Sequence, residues 1–181
     1  MPHASALLII DMINPFDFDG APALMRAALP AAKRIAALKA RLKAAGAPTL
    51  YVNDNFTRWQ SDFRQLVAIC SQPDAYGAAI AALLAPEHND YFVLKPRHSA
   101  FFATPLRLLL EQLAVRRLIV TGIAGDSCIL ATAVDAHMNG FELSVPQDCI
   151  ASQTPARNKQ AIAVMKSALH ADVRSARSLR T

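Results

Sequence analysis

Cysteine and glycine are both scarce in this chain, and neither falls into a cofactor-binding pattern. The three cysteines, Cys70, Cys128 and Cys149, are an odd number with no CxxC pair and no Cys/His metal spacing. That argues against a disulfide scaffold and a structural zinc site. The six glycines make no GxGxxG or GxxxxGKS/T after any strand-like run, so a nucleotide site loses its main support. Charged residues are only 18% against 53% hydrophobic, the reverse of the balance that disorder needs. No apolar run is long enough to span a membrane. The N-terminus carries no charged segment followed by an apolar stretch, so a cytoplasmic protein with no membrane partner is expected. Aromatics are few among the late basic residues Arg157, Lys159, Lys166, Arg174, Arg177 and Arg180, which are dispersed on helical faces. Those residues read as a solvated surface, and no nucleic-acid partner is expected.

What is present suits one domain over residues 1–181 with a substantial core. Apolar strand-length runs alternate with amphipathic patterns. Strands are expected at Ala6–Ile10, Thr49–Val52, Tyr91–Leu94, Leu118–Val120 and Glu142–Val145, with a weaker candidate at Ala171–Arg174. Helices are expected at Ala31–Ala45, with Pro30 at the entrance, and at Asp62–Cys70, Tyr76–Leu84 and Pro105–Leu113. Others follow Cys128 as far as Gly140 and span Pro155–His170, where Thr154 is the cap. Such alternation implies right-handed βαβ units, a parallel sheet and helices on both faces: an α/β fold in three layers, α/β/α.

Three strand ends carry chemistry. Cys128 lies in Thr121-Gly-Ile-Ala-Gly-Asp-Ser-Cys128, between the run Arg117–Val120 and a helical pattern. Unpaired N–H groups at a helix start favour a thiolate, although a lone cysteine also serves as a small buried hydrophobe. Asp11 closes the first strand as a general base or a loop cap. Lys95 leaves the third strand as a site cation or a surface terminator. Together a carboxylate, an ammonium and a thiol suit nucleophilic catalysis.

With these residues in place, the chain resembles the isochorismatase-like cysteine hydrolases, which include nicotinamidases, N-carbamoylsarcosine amidohydrolases and isochorismatases. The resemblance runs through Leu7–Asp11, Tyr51–Phe56, Leu94–Phe102, Thr121–Ala133 and Val145–Cys149. It implies a six-stranded parallel sheet and a catalytic triad of Asp11, Lys95 and Cys128. It also implies a non-proline cis peptide at Ile123–Ala124 and an oxyanion hole from the Ala124 and Cys128 amides. The family often forms oligomers, so a homo-oligomer is expected.

Two positions depart from relatives. Nicotinamidases carry Asp-x-His after the second strand, where this chain has Asp54-Asn-Phe56. No metal and no cofactor are therefore expected, and nicotinamide is a poor substrate candidate. Gly125 stands where many members carry threonine and would relax the turn. Phe16, Asn53, Phe56, Trp59 and Phe102 are candidates for binding substrate, against plain core or loop-capping roles. His98 either contacts substrate or fills a turn. Asp126 and Ser127 are expected to cap the helix near Cys128, and Asp148 a loop near the fifth strand.

The expected activity is metal-independent cysteine hydrolysis of a small-molecule amide or carbamoyl C–N bond through a thioester. Three alternatives stay open: vinyl-ether hydrolysis with Asp11 as acid, a non-catalytic ligand-binding module, and a redox role for Cys128.

Overall fold

The run Ala6-Leu-Leu-Ile-Ile10 is apolar at every position, and the fold uses both of its faces. Strand β1 (Ser5–Ile10) turns Leu7 and Ile9 into one layer and Ala6, Leu8 and Ile10 into the other, all fully buried. A central parallel strand needs this double-sided apolarity. Each buried leucine or isoleucine contributes about 1.5–3 kcal/mol. The computed structural model describes residues 5–56, 59–60 and 62–179; Arg180 of the basic group lies outside them.

Around β1 lie β2 (Thr49–Asp54), β3 (Tyr91–Lys95), β4 (Arg117–Ile123), β5 (Glu142–Ser144) and β6 (Ile150–Ala151). The sheet is six-stranded and parallel in the order β3-β2-β1-β4-β5, with β6 also paired to β4. Helices α1 (Ala21–Ala44), α2 (Phe63–Cys70) and α3 (Ala78–Leu83) cover one face. On the other lie α4 (Leu106–Gln112), α5 (Leu130–Met138) and α6 (Pro155–Ala168). This is the three-layer α/β/α arrangement expected from the alternation. The winding reverses between β1 and β4, and ligands of such sheets bind in the crevice that opens there. Asp11 follows β1 and the Cys128 turn follows β4. Among the described residues, no helix is long and apolar enough to cross a membrane.

The sixth strand is not where the apolar pattern suggested. Ala171–Arg174 contributes only a bridge between Ser144 and Asp172. The Asp172 carboxylate accepts from the Arg174 backbone N–H at 3.1 Å and curls the chain away. β5 is short and pairs with the first half of β4. Pro146, which has no N–H to donate, follows soon after. The second half of β4 is therefore left for Ile150–Ala151, which pair with Gly122 and Ile123.

Helix α1 also starts earlier than expected, at Ala21, so Pro30 is internal. Pro22 in its first turn has the backbone angle a helix needs. Pro30 sits on the exposed side, where solvent can reach the carbonyl that loses its partner. Asp148 does bind a loop: its carboxylate accepts from the Ala176 N–H at 2.8 Å.

Two anchors fix the strands that carry the site, the first at the far end of β3 and the second beside the site. Lys39 of α1 is buried, donates to Asp90 at 2.6 Å and Tyr51 at 3.1 Å, and so pins the approach to β3. Burial pushes the Tyr51 hydroxyl up to about 12, and it donates to the Leu84 carbonyl at 2.8 Å. The second anchor is a close approach of β4 to β1. Gly122 has φ +118°, and a Cβ there would fall 2.1 Å from the Ile10 carbonyl oxygen. Gly122→Ala is therefore expected to lower stability by roughly 3 kcal/mol. Urea denaturation checks this, and an unchanged midpoint would refute it.

Candidate active site

Asp11 leaves β1 in the left-handed region, at φ 53°, while its N–H still reaches the Val52 carbonyl at 3.0 Å. The chain thus turns at the strand tip itself, and both carboxylate oxygens find donors. Oδ1 accepts from the Asp54 N–H at 2.7 Å. Oδ2 is ion-paired with Lys95 Nζ at 2.8 Å. Lys95, the last residue of β3, is fully buried, so it is no surface terminator. Its Nζ also donates to the Arg97 carbonyl at 3.1 Å and reaches Cys128 Sγ at 3.5 Å. The acid, the amine and the sulfur meet at one point.

The cysteine turn is built differently from the capped helix expected. After β4 the Ile123–Ala124 peptide is cis, at the position the resemblance implies. One π-helical turn, Gly125–Ile129, then carries Cys128 into α5. Neither Asp126 nor Ser127 caps it with a side chain. The Asp126 carboxylate instead accepts from Arg157 Nε at 2.5 Å, and its N–H donates to Ser152 Oγ at 3.2 Å. Ser127 Oγ lies 3.2 Å from His98 Nδ1. Gly125 answers a packing demand, because a Cβ there would lie 2.4 Å from Asn158 Oδ1 and 2.9 Å from Ser152 Oγ.

Above the sulfur opens a cavity of about 400 Å³. Among the described residues its walls are Asp11, Asn14, Phe18, Leu24, Asp54, Phe56, His98, Ile123, Ala124, Asp126, Ser127, Cys128, Gln153 and Arg157. Of Phe16, Asn53, Phe56, Trp59 and Phe102, only Phe56 is among them, and His98, expected either to contact substrate or to fill a turn, is there as well. Phe16 is core, stacked on Phe18 with ring centroids 6.4 Å apart, and it is Phe18 that faces the cavity. Asn53 is fully buried and donates to the Ile13 carbonyl at 2.7 Å, so it supports the loop after Asp11. Trp59 and Phe102 are exposed and do not line the cavity. Sequence reasoning missed Phe18, Leu24, Gln153 and Arg157. The last two flank the Thr154-Pro155 helix start, which was the one available signal. A larger hollow of about 510 Å³ around Arg117, Glu142, Asp172 and Arg174 lies away from these groups, and those four charges pair with one another.

Asp54 faces the cavity, and its carboxyl is pushed up by burial, with Asp11 adding and Lys95 opposing. It could supply one metal ligand, but Phe56 stands where a histidine would be needed. Among the described residues, no group of three or more His, Cys, Asp or Glu side chains is arranged to hold a metal ion.

The charges correct one expectation. Burial, followed by the Asp11 carboxylate, pushes the Cys128 thiol up to about 12, with Lys95 pulling the other way. In the resting site the sulfur is therefore a thiol, because a thiolate would place a second anion beside Asp11. Burial alone would lower Lys95, yet Asp11, Cys128 and Asp54 outweigh it and hold its pKa above the ordinary value. The ammonium is thus present whichever of Asp11 and Cys128 carries the proton. Passing that proton from sulfur to carboxylate changes no net charge, so the site can do it without solvent. A raised thiol pKa means little thiolate at neutral pH, with more appearing only as pH climbs towards 12. Asp11→Asn removes the repelling anion and leaves Lys95, so the Cys128 pKa falls. Iodoacetamide alkylation of Cys128 at pH 7 is expected to be at least about tenfold faster in Asp11→Asn than in the unmodified protein. Equal or slower labelling would contradict this electrostatic picture.

Comparison with known proteins agrees with this geometry. The isochorismatase domain family matches residues 5–178. The chain is 39% identical over 168 residues to YaaI, an isochorismatase family protein of Bacillus subtilis, covering 93% of this chain and 92% of that one. It is 30% identical to the maleamate amidohydrolase of Pseudomonas putida, covering 80% of this chain and 71% of that enzyme. Among solved structures, an isochorismatase family protein from Desulfovibrio vulgaris superposes with a TM-score of 0.80 at 30% identity, covering 97% of this chain and 96% of that one. With a parallel sheet, a buried Asp-Lys pair and a cysteine at its switch point, the chain belongs to the isochorismatase family of hydrolases.

Proposed function

We propose that this hydrolase is a metal-independent cysteine amidohydrolase acting on a small amide or carbamoyl C–N bond. The observation that carries the proposal is the contact of Lys95 Nζ with both Asp11 Oδ2 and Cys128 Sγ, at 2.8 and 3.5 Å. Names of relatives add support: a maleamate amidohydrolase, a ureidoacrylate amidohydrolase and an N-carbamoylsarcosine amidase.

In the proposed reaction Asp11 takes the Cys128 proton as Sγ attacks the substrate carbonyl carbon. Lys95 compensates the sulfur's charge while the carboxyl is neutral. The Ala124 and Cys128 amides receive the oxyanion. Asp11 then returns the proton to the departing nitrogen, leaving an acyl thioester on Cys128 and a free amine. Water opens the thioester and releases the acid. The cavity walls combine Phe18, Leu24 and Phe56 with the polar groups of Asn14, Gln153 and Arg157, which suits a small substrate with one apolar face. A homo-oligomeric assembly is proposed with it.

Maleamate, ureidoacrylate, N-carbamoylsarcosine and nicotinamide form the natural test panel. Cys128→Ala is expected to lower kcat/KM on any panel member that is turned over by at least about 10³-fold, with an unchanged circular dichroism spectrum. Activity retained without the sulfur would overturn the thioester route and favour acid chemistry by Asp11 on a vinyl ether.

A further inference from the structure

The cavity above the sulfur carries two sets of charges. Asp11 and Lys95 form the inner set, and the charges that act on Asp54 are those of Lys95, Asp11 and His98. The outer set is the ion pair of Asp126 with Arg157, both of which line the same cavity. The proposed reaction uses the inner set and leaves the outer one without a task.

Arg157 differs from the other polar wall groups in having donors to spare. Asn14 is occupied at both ends: its Oδ1 accepts from the Phe16 N–H at 2.8 Å, and its Nδ2 donates to the Asp11 carbonyl at 3.4 Å. Ser127 and His98 lie within reach of each other. Gln153 Oε1 accepts from Arg157 Nη1 at 2.8 Å, and its Nε2 is packed on Gly20, where a Cβ would come within 2.6 Å of it. A guanidinium has five N–H groups. Among the described residues, Nε–H goes to Asp126 and one Nη1–H to Gln153, which leaves three of the five.

Those two contacts hold the guanidinium and do not close it off. The Arg157 side chain is 52% exposed against 15% for Asp126, so the carboxylate is the enclosed partner and the cation the open one. Arg157 also sits in the first turn of α6, which contains no acidic residue, so the positive end of that helix adds to the same sign at this wall. Phe18, Leu24 and Phe56 supply apolar wall between such a cation and the sulfur's end of the site. A planar fork of N–H groups matches the two oxygens of a carboxylate, and a cavity of about 400 Å³ admits that carboxylate on a short carbon chain.

We propose that Arg157 is a specificity-determining residue that binds a substrate carboxylate, so that the substrates are amide acids. The scissile amide or carbamoyl carbonyl lies over Cys128 and the carboxylate on the guanidinium, which Asp126 and Gln153 hold in place. The nature of the scissile bond rests on the cysteine-hydrolase reading above, whereas the anion site can be tested apart from it. Asp126 and solvent temper the attraction, so a preference of about tenfold is expected for an acid over its uncharged ester.

Maleamate and succinamate, each paired with its own methyl ester, are the probes, because the members of a pair differ in the carboxylate alone. Each is tested for protection of Cys128 against iodoacetamide, read by peptide mass spectrometry, in the unmodified protein, Arg157→Gln and Arg157→Lys. Ammonia release is followed alongside, also in Cys128→Ala. The labelling rate without competitor and the circular dichroism spectrum report whether each variant keeps its site. At least one acid is expected to protect the unmodified protein at about tenfold lower concentration than its ester. That ratio should fall to about one in Arg157→Gln and be partly restored in Arg157→Lys. Equal protection by acid and ester, protection by neither, or an unchanged ratio in Arg157→Gln would overturn the role of Arg157. Ammonia release that survives Cys128→Ala would overturn the cysteine-hydrolase reading instead, and the protection ratios would still decide the anion site.

Discussion

A lysine ammonium with no solvent exposure needs a partner, and the fold supplies one at the tip of its central strand. Lys95 and Asp11 come from strands separated by β2, and they meet only because the sheet is in register. Breaking a buried pair of this kind typically costs about 3–5 kcal/mol, since the remaining charge has no compensation. That constraint explains the surrounding structure. Asp11 turns in a left-handed conformation at the strand end, the Asp54 N–H closes on its free oxygen, and Asn53 fastens the loop that follows. On the other side of the switch point, Gly122 lets β4 approach β1 closely, which brings the Cys128 turn within reach of the ammonium.

The same charges govern the chemistry. One ammonium faces two acidic groups, and it accommodates one anion better than two. Burial and the neighbouring Asp11 carboxylate accordingly keep the resting sulfur protonated, and in the proposed reaction its proton passes to Asp11 as it attacks. The network behind the turn contributes rigidity. Ser152 and Asn158 pack where any side chain at position 125 would have to go, and Arg157 holds Asp126 at the cavity wall.

Much of this was legible in the residues. The first five strands appear as short apolar runs because both faces of a parallel sheet are buried. The three chemical groups appear because each lies at a strand's end or in the turn that follows it. Their family order, Asp11 then Lys95 then Cys128, added what spacing alone could not: that they meet. Other features were hidden for physical reasons. Strand β6 is two residues long and exists because Pro146 interrupts the edge, so it has no pattern of its own. The start of α1 was obscured by Pro30, which usually marks a helix entrance and here lies on a solvated side. The thiol's protonation depends on burial and on an acid more than a hundred residues distant in sequence. Several cavity walls, Asn14, Phe18, Phe56 and His98 among them, come from loops, where periodicity does not say which way a side chain points. Hence Phe18 faces the cavity and Phe16 the core, and Asn53 proved to be a support.

The central claim is that the buried ammonium and carboxylate are compensated by each other. A double-mutant cycle measures this directly, comparing the urea stability of the unmodified protein, Asp11→Asn, Lys95→Met and the double variant. If each charge is compensated by the other, Asp11→Asn costs about 3–5 kcal/mol and the double variant recovers a large part of it. If the two losses simply add, the charges are independent, and the account of the site built on their pairing is wrong.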